Sequence, residues 1–402
     1  MLKILSKILR GGLHYRFASY HCIALYDINE YVSISLVKFI SPLRYRYVKR
    51  IEWPRAILHL DMDAFFVNVH ILEHPEDYGI PLAVGGKPGQ RGVIASASYE
   101  AREKGVRSAM ASSKARKLCP NLKLVSSNRP LIRSSSAKVM EILSRYGTLE
   151  RMSVDEAFVD LSLQKNPAAL VQTVLKRIKA ETNLPASAGL ATSKLVAKIA
   201  SDFDKPEGFT IVEPGTESKF LAPLKIRKIY GIGPKTASIL NGLGIQICSD
   251  LVSIDIQKLQ PIFGQYSVNL KNKSKGIDNR PVDPSPWIAK QQGTETTFDV
   301  DIKDAEKVEL ALQELCKEVS ESIGQMGRSA RTITIKLRWS DFKTITRQRT
   351  VPGEINKSQD IYKVAKSLLY ENWKPGKPIR LLGVAASRLG VSDQQKLQLE
   401  FE

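Results

Sequence analysis

The chain has 402 residues, with 60 Lys and Arg against 41 Asp and Glu and a formal net charge of +19. That length exceeds one ordinary core and predicts several domains, while the charge points to a polyanionic partner, nucleic acid or an anionic membrane surface. Its 43% hydrophobic and 25% charged residues are globular, no apolar run reaches spanning length, and four scattered cysteines (Cys22, Cys119, Cys248, Cys316) match neither a zinc spacing nor a disulfide framework. We therefore expect a protein of a reducing compartment, not inserted in a membrane.

Residues 1–53 carry nine Lys or Arg against Asp27, Glu30 and Glu52. This basic extension has the balance of a transit peptide. It reads equally as a DNA-contacting arm or as sequence upstream of a misplaced start codon, and the last is preferred. It is expected to be dispensable for catalysis.

Ala56-Ile57-Leu58-His59-Leu60 predicts a buried strand that runs into Asp61-Met62-Asp63-Ala64-Phe65-Phe66. Pro81–Val84 is a second apolar run, followed by the turn-rich Gly85–Gly89. Gly92–Ser98 reads as a small-residue strand and Tyr99-Glu100-Ala101-Arg102 as the opening of a helix. Helical spacing covers 137–146. Met152, Val154, Phe158 and Leu161 surround a second acidic signature, Ser153-Val154-Asp155-Glu156-Ala157-Phe158-Val159-Asp160. A helix over 168–180, a strand over 187–191 and a helix capped by Ser193 follow.

Burying Asp61, Asp155 and Glu156 in apolar strands would be costly unless a cation neutralises them. All-oxygen ligands suit Mg²⁺, and two such ions form the clamp of an in-line phosphoryl transfer. Either signature alone reads as a solvated strand end; the two together favour metal binding. His70 and His74 share the spacing of a zinc pair, but Glu73 is misplaced for a zinc protease and no third ligand is evident.

Residues 226–245 contain Gly231-Ile232-Gly233-Pro234-Lys235 between two short helical patterns. Glycines there let backbone N–H groups at a helix start approach a phosphate, and Lys235 adds charge. The segment resembles a helix-hairpin-helix. Asp283-Pro284-Ser285-Pro286 reads as a linker, and 304–323 as an amphipathic helix. In Thr332–Trp339 the alternation puts Ile333, Ile335, Leu337 and Trp339 towards a core and Thr332, Thr334, Lys336 and Arg338 on the other face. Lys343, Arg347 and Arg349 from the next strand, with Arg380 and Arg388 from the last, are expected to enlarge that basic face for phosphate contacts.

The Asp-Met-Asp-Ala-Phe-Phe, Tyr-Glu-Ala-Arg, Ser-Val-Asp-Glu-Ala and Lys-Pro-Glu-Gly motifs, in that order, resemble those of the Y-family lesion-bypass DNA polymerases of the bacterial DNA polymerase IV type, over about 57–389. The resemblance implies an α+β multidomain right hand. Its expected parts are a palm (54–64 and 134–213), small fingers (65–133), a helical thumb with the hairpin motif (214–284), a linker (285–292), an α/β little finger (293–390) and a tail (391–402). It implies low-fidelity, template-directed DNA synthesis with two Mg²⁺ ions and no proofreading exonuclease, by a cytoplasmic, nucleoid-associated monomer acting on primer-template DNA and deoxynucleoside triphosphates.

Residue by residue, Asp61, Asp155 and Glu156 match the metal acids, with the Met62 carbonyl as an extra ligand and Glu156 as the catalytic acid near the primer 3′-hydroxyl. Phe66 matches the steric gate, although from its residues alone it would be read as core beside Phe65. Tyr99, Arg102 and Lys205 match the triphosphate ligands, and Val93, Ala95 and Ala97 the roof over the nascent base pair. Gly231, Gly233, Lys235, Lys336, Arg338, Arg347 and Arg349 are expected at DNA. The tail, Gln394 to Glu402, resembles a sliding-clamp peptide but places Glu400 between Leu399 and Phe401. Two rivals are a nucleotide cyclase on a similar palm and a non-catalytic DNA-binding or clamp-associated relative; the hairpin and basic sheet speak against the first, the intact acids against the second.

Overall fold

The computed structural model describes residues 52–86 and 91–391. The basic extension up to residue 51 and the tail peptide from Gln394 lie outside the described residues. In chain order the elements are β1 (Ile57–Met62), α1 (Phe65–Glu73), β2 (Leu82–Gly85), β3 (Ile94–Ala97), α2 (Tyr99–Glu103), α3 (Ser112–Leu118), β4 (Lys123–Val125), α4 (Arg129–Ser144), β5 (Thr148–Arg151), β6 (Glu156–Asp160), α5 (Pro167–Thr182), β7 (Ala186–Ala191), α6 (Lys194–Ser201) and β8 (Phe209–Ile211). Then come α7 (Glu217–Leu221), α8 (Pro234–Gly242), α9 (Cys248–Ser253), α10 (Ile256–Phe263), α11 (Tyr266–Ser274), β9 (Gln291–Ile302), α12 (Ala305–Gln325), β10 (Arg328–Trp339), β11 (Thr344–Ile355), α13 (Ser358–Asn372), β12 (Ile379–Ser387) and β13 (Gly390–Val391).

The first sheet has the order β5-β6-β1-β7-β8, so β1, entirely buried, lies at its centre. Alternation along β1 separates two cores. Leu58, Leu60 and Met62 pack with Val139, Met140 and Leu143 of α4 and Val171, Val174 and Ile178 of α5. Ile57 points the other way, into a cluster with Leu195, Val196 and Ile199 of α6. Each such aliphatic side chain contributes about 1.5–3 kcal/mol by leaving water. On that second side α6 presses against the sheet: a Cβ on Gly189 would stand 2.1 Å from the Ala197 carbonyl oxygen. Ser193 caps α6 as expected, its hydroxyl accepting from the Val196 amide.

A smaller sheet, β3-β2-β4, pairs β2 antiparallel to β3 and parallel to β4 over a core of mostly small residues (Ala83, Ile94, Ala97, Ala101, Ala115). The helices from α7 to α11 bury Ile226, Ile229, Ile232, Ala237, Leu240, Leu251 and Leu259. The pattern before Gly231 is a single 3₁₀ turn, Ile226–Lys228, whereas Pro234 opens α8 as expected.

The last sheet runs β11-β10-β12-β9, with α12 and α13 covering one face. Ile333, Ile335, Leu337 and Trp339 are buried there, as the alternation predicts. The opposite face needs correcting. Directly paired residues on antiparallel strands share a face, and the register pairs Ile335 with Arg347 and Ile333 with Arg349, whereas Lys336 pairs with Thr346. Arg347 and Arg349 therefore lie on the helix side, and Arg349 is bonded to Ser367 and Glu371 of α13. Thr332 is also buried, hydrogen-bonded to Thr350.

Among the described residues no helix is long and apolar enough to cross a membrane.

Candidate active site

The two acidic signatures meet through the sheet register. β1 pairs antiparallel with β6 so that Asp61 stands opposite Glu156. Asp155 is not in a strand: it ends the loop before β6, where its carbonyl accepts from the Met62 amide at 3.0 Å. Ser153 organises that loop, its hydroxyl accepting from the amides of Asp155 and Glu156 and donating to the Asp155 carboxylate at 2.5 Å. Met152 and Val154, read from sequence as apolar packing around the acids, are exposed instead, because they sit in the loop.

β1 ends at Met62, and the chain turns sharply through Ala64, whose φ of 41° lies in the left-handed region. For a residue with a Cβ this costs roughly 1–2 kcal/mol. The turn is held because the Ala64 carbonyl accepts from Val67 and Asn68 at the start of α1. It sends Phe65 into the core and leaves Phe66 half-buried, beside the acids. A cavity of about 170 Å³ is lined by Asp61, Met62, Ala64, Phe65, Phe66, Ala95, Ser96, Arg102, Ser108, Asp155, Glu156 and Lys205. Of the three expected roof residues, Ala95 lines this cavity, Val93 is exposed and Ala97 is buried in the core of the small sheet.

Two lysines neutralise the acids. Lys205 Nζ lies 2.6 Å from Asp61 Oδ1 and 3.1 Å from Asp202, and Lys198 Nζ lies 2.8 Å from Glu156 Oε2. Burial pushes the Asp61 carboxyl up to about 7; the Lys205 charge opposes this and the neighbouring Glu156 adds to it. Burial pulls the Lys205 ammonium down, but Asp61 and Asp202 outweigh it, leaving it raised. Tyr99 and Arg102, one helical turn apart on α2, form a unit, with the guanidinium 4.8 Å from the ring centre. Burial first, then the Asp63 charge, raises the Tyr99 hydroxyl above its ordinary value.

Among the described residues no group of three or more His, Cys, Asp or Glu side chains is gathered closely enough to hold a metal. The physical reason is visible: Asp155 turns onto Ser153, and Lys205 and Lys198 hold the other two carboxylates. The donor set still fits a hard divalent ion, being all oxygen, anionic and gathered where the end of β1 meets the start of β6. His70 stacks on His74 and bonds to Asp77, which Lys123 also holds, so this pair is a packed ion-pair cluster. Sequence reasoning passed over Ser153, Lys198, Ser108 and, most consequentially, Asp63; of these, Asp63 and Ser153 had a signal, their places in the two acidic motifs.

The remaining expected residues are spread over two other surfaces. Gly231 has a φ of 93°, in the left-handed region, and Gly233 is the N-cap of α8 with no side-chain cap of its own; Lys235 is exposed just beyond. On the open face of the last sheet lies an 800 Å³ hollow lined by Thr334, Lys336, Thr346 and Glu295 among others. Lys336 is 2.7 Å from Glu295, and Arg338 donates to Thr344.

The impB/mucB/samB family matches over residues 60–202, its C-terminal domain over 289–401 and the family's HHH motif over 214–245. The chain is 38% identical over 355 residues to DNA polymerase IV of Clostridium perfringens (strain ATCC 13124), covering 87% of this chain and 99% of that protein. It is 37% identical over 351 residues to DNA polymerase IV of Listeria monocytogenes serotype 4a (strain HCC23), covering 86% and 98%. A solved Y-family DNA polymerase chimera, Dbh-Dpo4(243-245)-Dbh, superposes with a TM-score of 0.76 at 25% identity over 84% of this chain and all of that one. The chain belongs to the Y-family DNA polymerases of the DNA polymerase IV type, the low-fidelity, lesion-bypassing class of DNA-directed DNA polymerases. Its architecture is the right hand of that family, with a helix-hairpin-helix in the thumb. Dependence on a divalent metal goes with that membership.

Proposed function

We propose that this enzyme extends primer-template DNA from deoxynucleoside triphosphates by two-metal nucleotidyl transfer with Mg²⁺. The observation that carries the reading is the single cavity in which the paired Asp61 and Glu156, the ring of Phe66 and the cations Arg102 and Lys205 converge.

Asp61, Asp155, Glu156 and the Met62 carbonyl would hold the ions, which when bound supply an activated 3′-oxygen and charge neutralisation on the leaving pyrophosphate. Glu156 lies nearest the primer hydroxyl in this reading. Tyr99, Arg102 and Lys205 hold the triphosphate, where charge grows during transfer. Phe66 excludes a 2′-hydroxyl by occupying its volume, and the small Ala95 presses lightly on the base pair. The thumb grips the duplex backbone through Gly231, Gly233 and Lys235, and the open sheet face does so through Lys336 and Arg338. Arg347, on the edge strand, can reach a phosphate from the side; Arg349, tied to Glu371, is assigned to packing. The palm, fingers, thumb and linker are assigned the limits expected from the sequence, except that the linker ends and the little finger starts at Gln291, where β9 begins. The protein is assigned to the cytoplasm and nucleoid, as a monomer without proofreading, with the tail contacting a sliding clamp.

Primer extension with all four deoxynucleotides, on undamaged, abasic and alkylated templates, tests the reading. Elongation past the lesions without removal of a mismatched primer end is expected. Failure to elongate any primer in Mg²⁺ overturns it.

A further inference from the structure

Asp63 is 1% exposed, yet it carries a carboxylate just past the end of β1. Three protein donors reach its two oxygens. The Ser187 hydroxyl lies 2.9 Å from both, the Tyr99 hydroxyl donates to Oδ1 at 3.1 Å, and the Glu207 amide donates to Oδ2 at 2.8 Å. A carboxylate offers about four lone-pair sites, and these three donors engage both oxygens of Asp63, tying its side chain to the surrounding protein. Its partners come from three parts of the chain: β7, the start of α2, and the loop after α6. Two of these carry proposed triphosphate ligands, Tyr99 itself and Lys205, two residues before Glu207.

We propose that Asp63 is a positioning residue for nucleotide binding, anchoring the 205–208 loop so that Lys205 is held at the triphosphate site and setting Tyr99 beside it. The inference rests on the triphosphate reading given above. The loop needs an anchor: Glu207 has a φ of 53°, left-handed backbone that a side-chain-bearing residue adopts only at a cost. The Glu207 amide is fixed by Asp63, and the next amide, of Gly208, by the Ser187 hydroxyl at 3.3 Å, so carboxylate and hydroxyl together fix two consecutive peptide units. Tyr99 has one hydroxyl proton, which here goes to Asp63. Donating it to a phosphate would leave Asp63 with its other donors, and the loop would still be held.

The test is single-nucleotide insertion kinetics with primer-template binding measured alongside. Asp63→Ala should raise the KM for the deoxynucleotide tenfold or more while leaving the primer-template Kd within twofold, and Asp63→Asn, which keeps an acceptor for the Glu207 amide, should recover most of it. In a Lys205→Ala background, Asp63→Ala should add less than twofold. If Asp63→Ala does not yield folded protein, Ser187→Ala takes its place, with a rise of about threefold that vanishes in the same background. An unchanged KM in these variants, or an equal rise with and without Lys205, overturns the positioning role provided Lys205→Ala alone raises the KM. If Lys205→Ala alone has no effect, the triphosphate assignment fails and the proposal with it.

Discussion

Asp61 and Glu156 face each other across adjacent antiparallel strands, yet each carboxylate is held by a different lysine, Lys205 and Lys198. The strands therefore bring the acids together before any other component arrives, and the ammonium groups offset a charge density that burial would otherwise penalise. Replacing Glu156 or Asp155 with Ala should abolish extension, a rate loss of roughly a thousandfold or more, because a ligand of the transferring centre is gone. Primer-template affinity should be nearly unchanged, since duplex contacts are assigned to other domains. Stopped-flow extension with a gel-shift control measures both; near-normal extension would sink the metal assignment.

Phe66 and Phe65 are consecutive on α1, 5.9 Å apart between ring centres, but only Phe65 belongs to the core. Phe66→Ala should let ribonucleotides in, because a methyl group leaves room for a 2′-hydroxyl. Deoxynucleotide binding should weaken by about 1–3 kcal/mol from the lost contact under the sugar. The check is the ratio of ribo- to deoxynucleotide insertion opposite the same template base. An unmoved ratio would return Phe66 to the role of a packing residue.

The acids were legible because carboxylates beside apolar strand residues contradict the hydrophobic pattern around them. Asp63 was not, because in sequence it looks like a second Asp61. The distinction lies in what surrounds it: β1 stops at Met62, Asp61 stands opposite Glu156, and the Asp63 carboxylate is instead bonded to Ser187, Tyr99 and the Glu207 amide. Arg347 and Arg349 were misplaced for a related reason: composition suggested one basic face, whereas pairing to β10 decides which face each residue occupies. The helix expected over 137–146 begins earlier, at Arg129, with Asn128 as its cap, since its first two turns are too polar to show a periodic stripe.

His59, on β1 between the two cores, is fully buried, with one ring nitrogen on Ser201 at 2.8 Å and the other without a partner among the described residues. Burial, then the charges of Lys198 and Lys205, holds its imidazole well below the ordinary value of 6.5. The fold thus keeps it neutral while the unfolded chain takes up a proton near pH 6.5. Its contribution to stability is complete above that pH and shrinks as the pH falls below it, with a slope approaching about 1.4 kcal/mol per unit. Comparing wild type with His59→Gln isolates this group from other titrations. Between pH 6.5 and 5 the difference in unfolding free energy should change in favour of the variant; parallel curves would show that His59 is protonated in the fold or takes no part.

Lys336 on the open sheet face is within 2.7 Å of Glu295, and Arg349 on the other face is bonded to Glu371. These two ion pairs should behave differently towards DNA. A phosphate that binds at Lys336 must compete with Glu295, so Glu295→Gln should tighten primer-template binding two- to fivefold at low salt. Lys336→Ala should weaken binding on every template sequence and reduce the slope of log affinity against log salt by about one, as one phosphate contact disappears. Arg349→Ala, on the helix-covered side, should leave both affinity and slope unchanged and cost only the roughly 0–1 kcal/mol of an exposed ion pair. Fluorescence anisotropy across a salt series separates the cases. A slope change for Arg349→Ala equal to that for Lys336→Ala would mean that the duplex runs along the edge strand instead of the open face.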